Sequence, residues 1–285
     1  MKSYQQLWQS LTPLYEDGEA KAIIRTLLEE RYGMTLTDIV CGKVNELSAD
    51  EERNIEEIIQ RLQKSEPIQY ILGSANFAGR TFRVRPGVLI PRPETAELCM
   101  WIENDCKQHG VVKPSILDLC TGSGCIAITL GLDCSEANVE GWDISEEALG
   151  IALSNAKDLG AENVCIKHAN ALELPKEEEK WDVIVSNPPY ICEKEKVGME
   201  KNVLEHEPGI ALFVPDEAPL LFYRAIAEYA VSALKPNGRL YFEINPIYEK
   251  EMTNMLGSLH FSSIETREDA FGKKRMMKAH RPTKE

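Results

Sequence analysis

Between Ile116 and Ile244 short apolar runs alternate with helical patterns, and that alternation leaves few folds open. Residues 116–119, 139–144, 164–168, 181–186 and 239–244 read as strands. Residues 126–132, 146–159 and 218–234 carry helical spacing between them. Strands separated by helices pair in parallel through crossovers, so the pattern predicts a doubly wound α/β domain with a mostly parallel sheet. Residues 261–277 predict two further strands at its edge.

The chain before this domain reads differently. Residues 5–16 and 18–32 hold apolar side chains at three-to-four spacing, Ile23, Ile24, Leu27 and Leu28 among them. Ser48-Ala49-Asp50-Glu51 forms a capping box that opens a helix through Leu62, and Pro67 ends the helical run. A small helical substrate-recognition domain is therefore expected over residues 1–72. Phe82, Val84, Val88, Leu89 and Ile90, with Pro86-Gly87 at a turn, predict a β-hairpin. Residues 73–92 are expected to link the helical domain to a domain over 93–285, whose first helix covers 95–107.

Composition excludes several classes. The 285 residues carry 32 basic and 46 acidic side chains, a net charge of −14, which argues against a broad basic surface for direct nucleic-acid binding. No apolar run reaches the ~18 residues of a membrane helix. The start, Met1 to Trp8, lacks the apolar core of a signal peptide. A cytoplasmic protein without a membrane partner is expected. None of the eight cysteines forms Cys-x-x-Cys, and the five histidines are scattered. Neither a metal site nor a disulfide framework is expected.

Asp118-Leu119-Cys120-Thr121-Gly122-Ser123-Gly124 ends the first strand of the α/β domain and opens its helix. Glycines let the backbone pass close to a ligand. In a doubly wound sheet the ligand crevice lies at the carboxyl ends of the strands, at the switch point. Asp143, 19 residues beyond Gly124, ends the second strand, where a carboxylate can take both hydroxyls of a ribose. Such a loop alone is also a tight strand-to-helix turn. Gly122-x-Gly124-x-x-Ala127 satisfies a loose dinucleotide fingerprint as well, as in an NAD-dependent oxidoreductase. Two features favour S-adenosylmethionine. Asp118 sits where it could meet a methionine ammonium, and a second motif faces the same crevice.

That motif is Asn187-Pro188-Pro189-Tyr190, at which the strand over 181–186 stops. Neither proline offers a backbone donor to a central strand, and the residue before each is held extended. The corner presents the Asn187 carboxamide, backbone carbonyls and an aromatic ring. Those groups can accept hydrogen bonds from an NH2 group and stack on its flat face, which suits methylation of an amino or amide nitrogen. A stiff surface turn is the other reading of Asn-Pro. The fourth strand of this winding lies beside the first, so corner and glycine loop open together.

Taken in order, the motifs resemble one family. They are Pro67-Ile68-Gln69-Tyr70-Ile71-Leu72-Gly73, Phe77-x-Gly79, Pro86 through Thr95, Ile116-Leu117-Asp118, Gly122 through Ala127, Ile184 through Ile191, Glu207-Pro208 and Phe222-Tyr223-Arg224. Together they are similar to the HemK/PrmC family of glutamine methyltransferases that modify peptide chain release factors. The match spans residues 67–275, and residues 1–66 fit in kind only. The resemblance implies a class I, Rossmann-like S-adenosylmethionine-dependent methyltransferase domain. It implies a class-1 release factor as protein substrate, methylated on the glutamine of its Gly-Gly-Gln loop. It further implies that Cys120, Thr121, Gly122, Ser123, Gly124, Asp143, Ala171 and Asn187 line the methyl-donor site. Asn187, Pro188, Pro189 and Tyr190 would hold the glutamine, with Asn187, Pro188 and Tyr190 acting in the transfer.

The chain departs from that pattern in places. Cys120 stands where the first glycine of the loop is usual, a position read as needing no positive φ. Asn170 replaces a frequent acid near the adenine, Ala171 a larger neighbour, and Tyr248 a usual glutamine. Arg92 and Glu94 are expected to hold the hairpin or to line the pocket, and Trp142 to pack or to wall the adenine. Glu207 is expected to order a substrate loop or to be a surface acid, and His168 to be a strand residue with a satisfied ring. Rival functions are glutamine methylation of a ribosomal protein, adenine-N6 methylation of nucleic acid, and release-factor binding without catalysis.

Overall fold

A computed structural model describes residues 2–134 and 136–281. The chain divides into two compact units. One holds the residues up to Ser74 together with Met199–His206; the other runs from Ala75 to Gly198 and continues from Glu207.

The first unit is helical: α1 (Tyr4–Gln9), α2 (Asp17–Tyr32), α3 (Leu36–Val40), α4 (Ala49–Leu62) and α5 (Ile68–Leu72). Capping explains the boundaries. Ser3, Thr35 and Ser48 each close a capping box, which satisfies two orphan backbone donors at a helix start. Gly33 ends α2 in the left-handed conformation. The first helix is shorter than its apolar spacing suggested, because Pro13 cannot carry it on. Ile55, Ile58, Ile59 and Leu62 form one face of α4 and join Leu7, Leu11, Ile24, Leu27 and Leu28 in a single core. Within this unit the His206 ring meets the Lys64 carbonyl at 3.2 Å.

The second unit opens with a hairpin of β1 (Ser74–Phe77) and β2 (Arg80–Arg83). It turns at Ala78-Gly79, both in the left-handed region; Pro86-Gly87 does form the expected turn, closed by the Val88 N–H on the Arg85 carbonyl at 3.2 Å, but beyond β2 and not between the paired strands. Two residues with positive φ match the twist of paired strands, whereas Pro86 cannot adopt one. Phe77 and Phe82 meet edge to face at 5.8 Å. The Arg83 N–H donates to Asn155 Oδ1 at 2.7 Å, so the hairpin packs within this unit.

The remaining elements are α6 (Pro93–Gln108), β3 (Ser115–Leu119), α7 (Cys125–Asp133), β4 (Asn138–Asp143), α8 (Glu146–Leu159), β5 (Val164–His168), β6 (Trp181–Ser186), β7 (Ile191–Cys192), α9 (Lys201–His206, of the first unit), β8 (Phe213–Val214), α10 (Leu221–Ala233), β9 (Leu234–Glu243), α11 (Glu249–Ser258), β10 (Ser262–Glu268) and β11 (Lys274–His280). Among the described residues seven strands form the main sheet, in the order β10-β11-β9-β6-β3-β4-β5. The five from β9 to β5 pair in parallel, and β11 lies antiparallel on β9. The winding moves outward from β3 to β5 and restarts on the other side with β6. The switch point therefore falls between β3 and β6, the two strands that carry the glycine loop and the asparagine–diproline corner. Among the described residues no helix is long and apolar enough to cross a membrane. No group of three or more His, Cys, Asp or Glu among them could hold a metal ion.

Candidate active site

The loop after β3 is shaped by three left-handed residues: Cys120, Gly122 and Gly124 have φ of 62°, 55° and 80°. Cys120 corrects the expectation that its position needs no positive φ. The strand must reverse there within one residue, and a Cβ is carried through the left-handed region at a cost. At Gly124 a Cβ would lie 2.8 Å from Ile128 Cδ1 and 3.2 Å from Ala152 Cβ. Glycine thus lets the start of α7 pack on α8.

Asp143 fastens the loop. Its Oδ2 accepts the Gly122 N–H at 2.8 Å and its Oδ1 the Ser145 N–H at 2.9 Å. Burial raises its pKa, and these backbone donors oppose the rise. Asp118 does a different job from the one expected. It is fully buried behind the loop, where Oδ2 accepts the Thr121 hydroxyl at 2.6 Å and the Ala127 N–H at 3.1 Å. Its Oδ1 has no partner among the described residues, and burial pushes its carboxyl up to about 7. It does not line the cavity in front of the loop, so a direct meeting with an ammonium group is replaced by support from behind.

That cavity has a volume of about 270 Å³. Cys120, Thr121, Gly122, Ser123 and Asp143 form one wall. Trp142, Ile144, Ala171 and Leu172 form an apolar side, and Asn187 and Pro189 face it from the end of β6. Trp142 also packs edge-on against Trp181, so it is both core and wall. Asn170 lines the cavity with its Oδ1 occupied by the Leu172 N–H at 3.0 Å. Gly124, Pro188 and Tyr190 do not line it. Tyr248 sits apart, with its hydroxyl 3.2 Å from Cys192 Sγ.

Arg92 lines the cavity and is ion-paired to Glu207, whose side chain is almost wholly buried. Glu207 also accepts the Ile90 N–H at 3.2 Å, so it is a buried tether and not a surface acid. The His168 ring sits 3.1 Å from the Ile144 carbonyl.

The corner itself rests on residues whose role sequence reasoning missed. The Tyr190 hydroxyl donates to Glu243 Oε1 at 3.1 Å, and the Thr95 hydroxyl to Glu243 Oε2 at 2.6 Å. Asn187 Nδ2 in turn faces Thr95 Oγ1 at 3.5 Å. Tyr190 therefore points away from the cavity to anchor the corner, where the sequence had it stacking on a substrate. Burial raises the pKa of Glu243, and the hydrogen bonds from Thr95 and Tyr190 lower it. A signal for Glu243 did exist: an acid closing the apolar run Leu240-Tyr241-Phe242 requires a buried partner.

Known proteins share this chain's two parts. A model described as a methyltransferase domain matches residues 112–269. One described as the PrmC N-terminal domain matches residues 6–73. The release factor glutamine methyltransferase of Bacteroides thetaiotaomicron is 47% identical over 274 residues, covering 96% of this chain and 97% of that protein. That of Flavobacterium psychrophilum is 38% identical over 282 residues, covering 98% and 99%. The Streptococcus pneumoniae protein of the same name is 36% identical over 267 residues, covering 93% of each.

Proposed function

The chain belongs to the release factor glutamine methyltransferases, and on that premise we propose that Asn187 and Pro188 orient the acceptor glutamine of a class-1 peptide chain release factor for methylation. The acceptor is the side-chain amide nitrogen of the glutamine in the Gly-Gly-Gln loop, and the methyl donor is S-adenosylmethionine. The reaction takes place in the cytoplasm. The supporting observation is that Asn187 and the Gly122 loop face one cavity.

The residues there suit the methyl donor. Among the described residues a Cβ at Gly122 would meet only Val88, at 4.0 Å, so glycine leaves that space to a ligand. Asp143 offers a carboxylate to ribose hydroxyls, and Trp142, Ile144 and Leu172 offer apolar surface to an adenine. Asp118 and Gly124 serve the cofactor indirectly, by shaping the loop. When bound, the sulfonium supplies an electrophilic methyl group.

A carboxamide nitrogen is a poor nucleophile because its lone pair is delocalised into the carbonyl. The Asn187 carboxamide oxygen and the Pro188 carbonyl each accept one N–H of the glutamine NH2. Held by both, the nitrogen is free to pyramidalise in one direction only. As it gains positive charge those hydrogen bonds strengthen, which stabilises the transition state more than the ground state. The methylated nitrogen is acidic and loses its extra proton late, so no strong base is needed. Positioning of this kind supplies up to about 7–11 kcal/mol in favourable cases. Pro189 stiffens the corner, and Tyr190 anchors it through Glu243.

Asn187→Ala tests the reading. With labelled S-adenosylmethionine and a release factor, turnover should fall by ~100-fold or more while methyl-donor affinity changes little. Mass spectrometry of the wild-type product should place the methyl group on the Gly-Gly-Gln glutamine. Unchanged turnover in Asn187→Ala, or a methyl group elsewhere, would defeat it.

A further inference from the structure

We propose that Glu243, acting through Thr95, fixes which way round the Asn187 carboxamide sits, and so keeps its oxygen turned toward the acceptor. The inference rests on the assignment of Asn187 as the group that orients the glutamine. Thr95 and Glu243 are positioning residues in it: Thr95 lines the cavity next to Asn187, and Glu243 acts on it from behind.

Glu243 closes β9 and is 3% exposed. As a carboxylate it can only accept hydrogen bonds. Two hydroxyls reach it, from Thr95 at 2.6 Å and from Tyr190 at 3.1 Å. A threonine hydroxyl has one proton, and here Glu243 takes it. Toward every other neighbour Thr95 Oγ1 is then an acceptor. The neighbour is Asn187, and the end of it that can donate is Nδ2, which stands 3.5 Å away. With the NH2 held on that side, Oδ1 lies on the other. No group among the described residues donates to Oδ1.

A free asparagine has little reason to prefer one amide orientation. If flipped, it would present N–H groups to the N–H groups of the acceptor, and the site would repel its substrate. The carboxylate removes that alternative. A glutamine in place of Glu243 would not, because its NH2 would face one of the two hydroxyls and free that proton. Tyr190 shares the same carboxylate, so one buried acid holds both the side chain and the backbone of the corner.

The test uses full-length Thr95→Val, Thr95→Ser and Glu243→Gln, with kcat and KM for release factor and calorimetric affinity for S-adenosylmethionine. Thr95→Val and Glu243→Gln should each lower kcat by roughly 10–100-fold, with methyl-donor affinity within about 2-fold of wild type. Thr95→Ser restores the hydroxyl and should recover kcat to within about 3-fold. The double variant should be no worse than the poorer single, since both act on one carboxamide. Unchanged kcat in Thr95→Val overturns the inference, as does a Ser variant as impaired as the Val one. Neutron diffraction of the wild-type protein decides the matter even if a variant fails to fold: deuterium atoms between Asn187 and Thr95 borne by the asparagine support it, and Oδ1 on that side overturns it. If Asn187→Ala keeps full turnover, the role of Asn187 itself is wrong. If Asn187→Ala is inactive but Thr95→Val is not, only this inference fails.

Discussion

The Ser186 hydroxyl donates to the Leu119 carbonyl at 2.6 Å, joining the last residue of β6 to the last residue of β3. The glycine loop and the asparagine–diproline corner thus leave the sheet from one locked point. Both residues are buried, so the bond is sheltered from water. Ser186→Ala should cost about 1 kcal/mol of stability, the net worth of one buried hydrogen bond. It should lower kcat more than it lowers methyl-donor affinity, because the corner loses its register relative to the loop. Urea denaturation and turnover measured on one preparation check this; wild-type values in both would contradict it.

Asp143 offers a separate handle on the cofactor. Its two oxygens accept the Gly122 and Ser145 N–H groups. In Asp143→Asn one of those donors must face an NH2 group, an arrangement that costs about 1–3 kcal/mol. Affinity for S-adenosylmethionine should weaken by ~10-fold or more, and KM for release factor should change little. Calorimetry shows the first effect and steady-state kinetics the second. Wild-type affinity in the variant would mean the loop does not depend on this acid.

Cys120 carries a left-handed backbone with φ of 62°. That conformation costs a residue with a Cβ roughly 1–2 kcal/mol, more when the side chain is β-branched. Cys120→Gly should therefore exceed Cys120→Val in stability by about 2 kcal/mol. Equal denaturation midpoints for the two variants would show that the angle carries no strain.

Asp118 predicts a pH effect with a definite sign. Burial raises its carboxyl to about 7, against an ordinary value of 3.8. The folded state then holds the proton more tightly than the unfolded chain. Its contribution is fully present below pH ~4 and is lost as pH climbs through about 7, a span worth at most about 4 kcal/mol. Asp118→Asn keeps an acceptor for Thr121 and Ala127 but carries no charge. Its stability relative to wild type should rise between pH 5 and pH 8. Urea denaturation of cofactor-free protein at both pH values measures this, and a pH-independent difference would rule out a titrating Asp118.

Much of the architecture was legible because local signals agreed with the global pattern. The capping box at Ser48 and the apolar face of α4 define one helix from both directions. The strand-and-helix alternation after Ile116 carried the order of the sheet, since parallel strands require crossovers. Other features had no local signal. The turn at Ala78-Gly79 was missed because Pro86-Gly87 was the stronger turn signal. The return of Met199–His206 to the helical unit has no local signature, because nothing in eight polar-rich residues says where they will pack. Tyr190 looked like a stacking ring, and only its distance to Glu243 gave it another task.

The sequence by itself determined the winding, the glycine loop and the rigid corner, since proline, glycine and apolar periodicity act over a few residues. Only the tertiary structure decided which polar groups meet. Thr95, Asn187 and Glu243 lie on three separate segments, and their roles follow from which oxygen each proton reaches. Hydrogen bonds depend on angstroms, whereas the code for helices and strands depends on spacing along the chain.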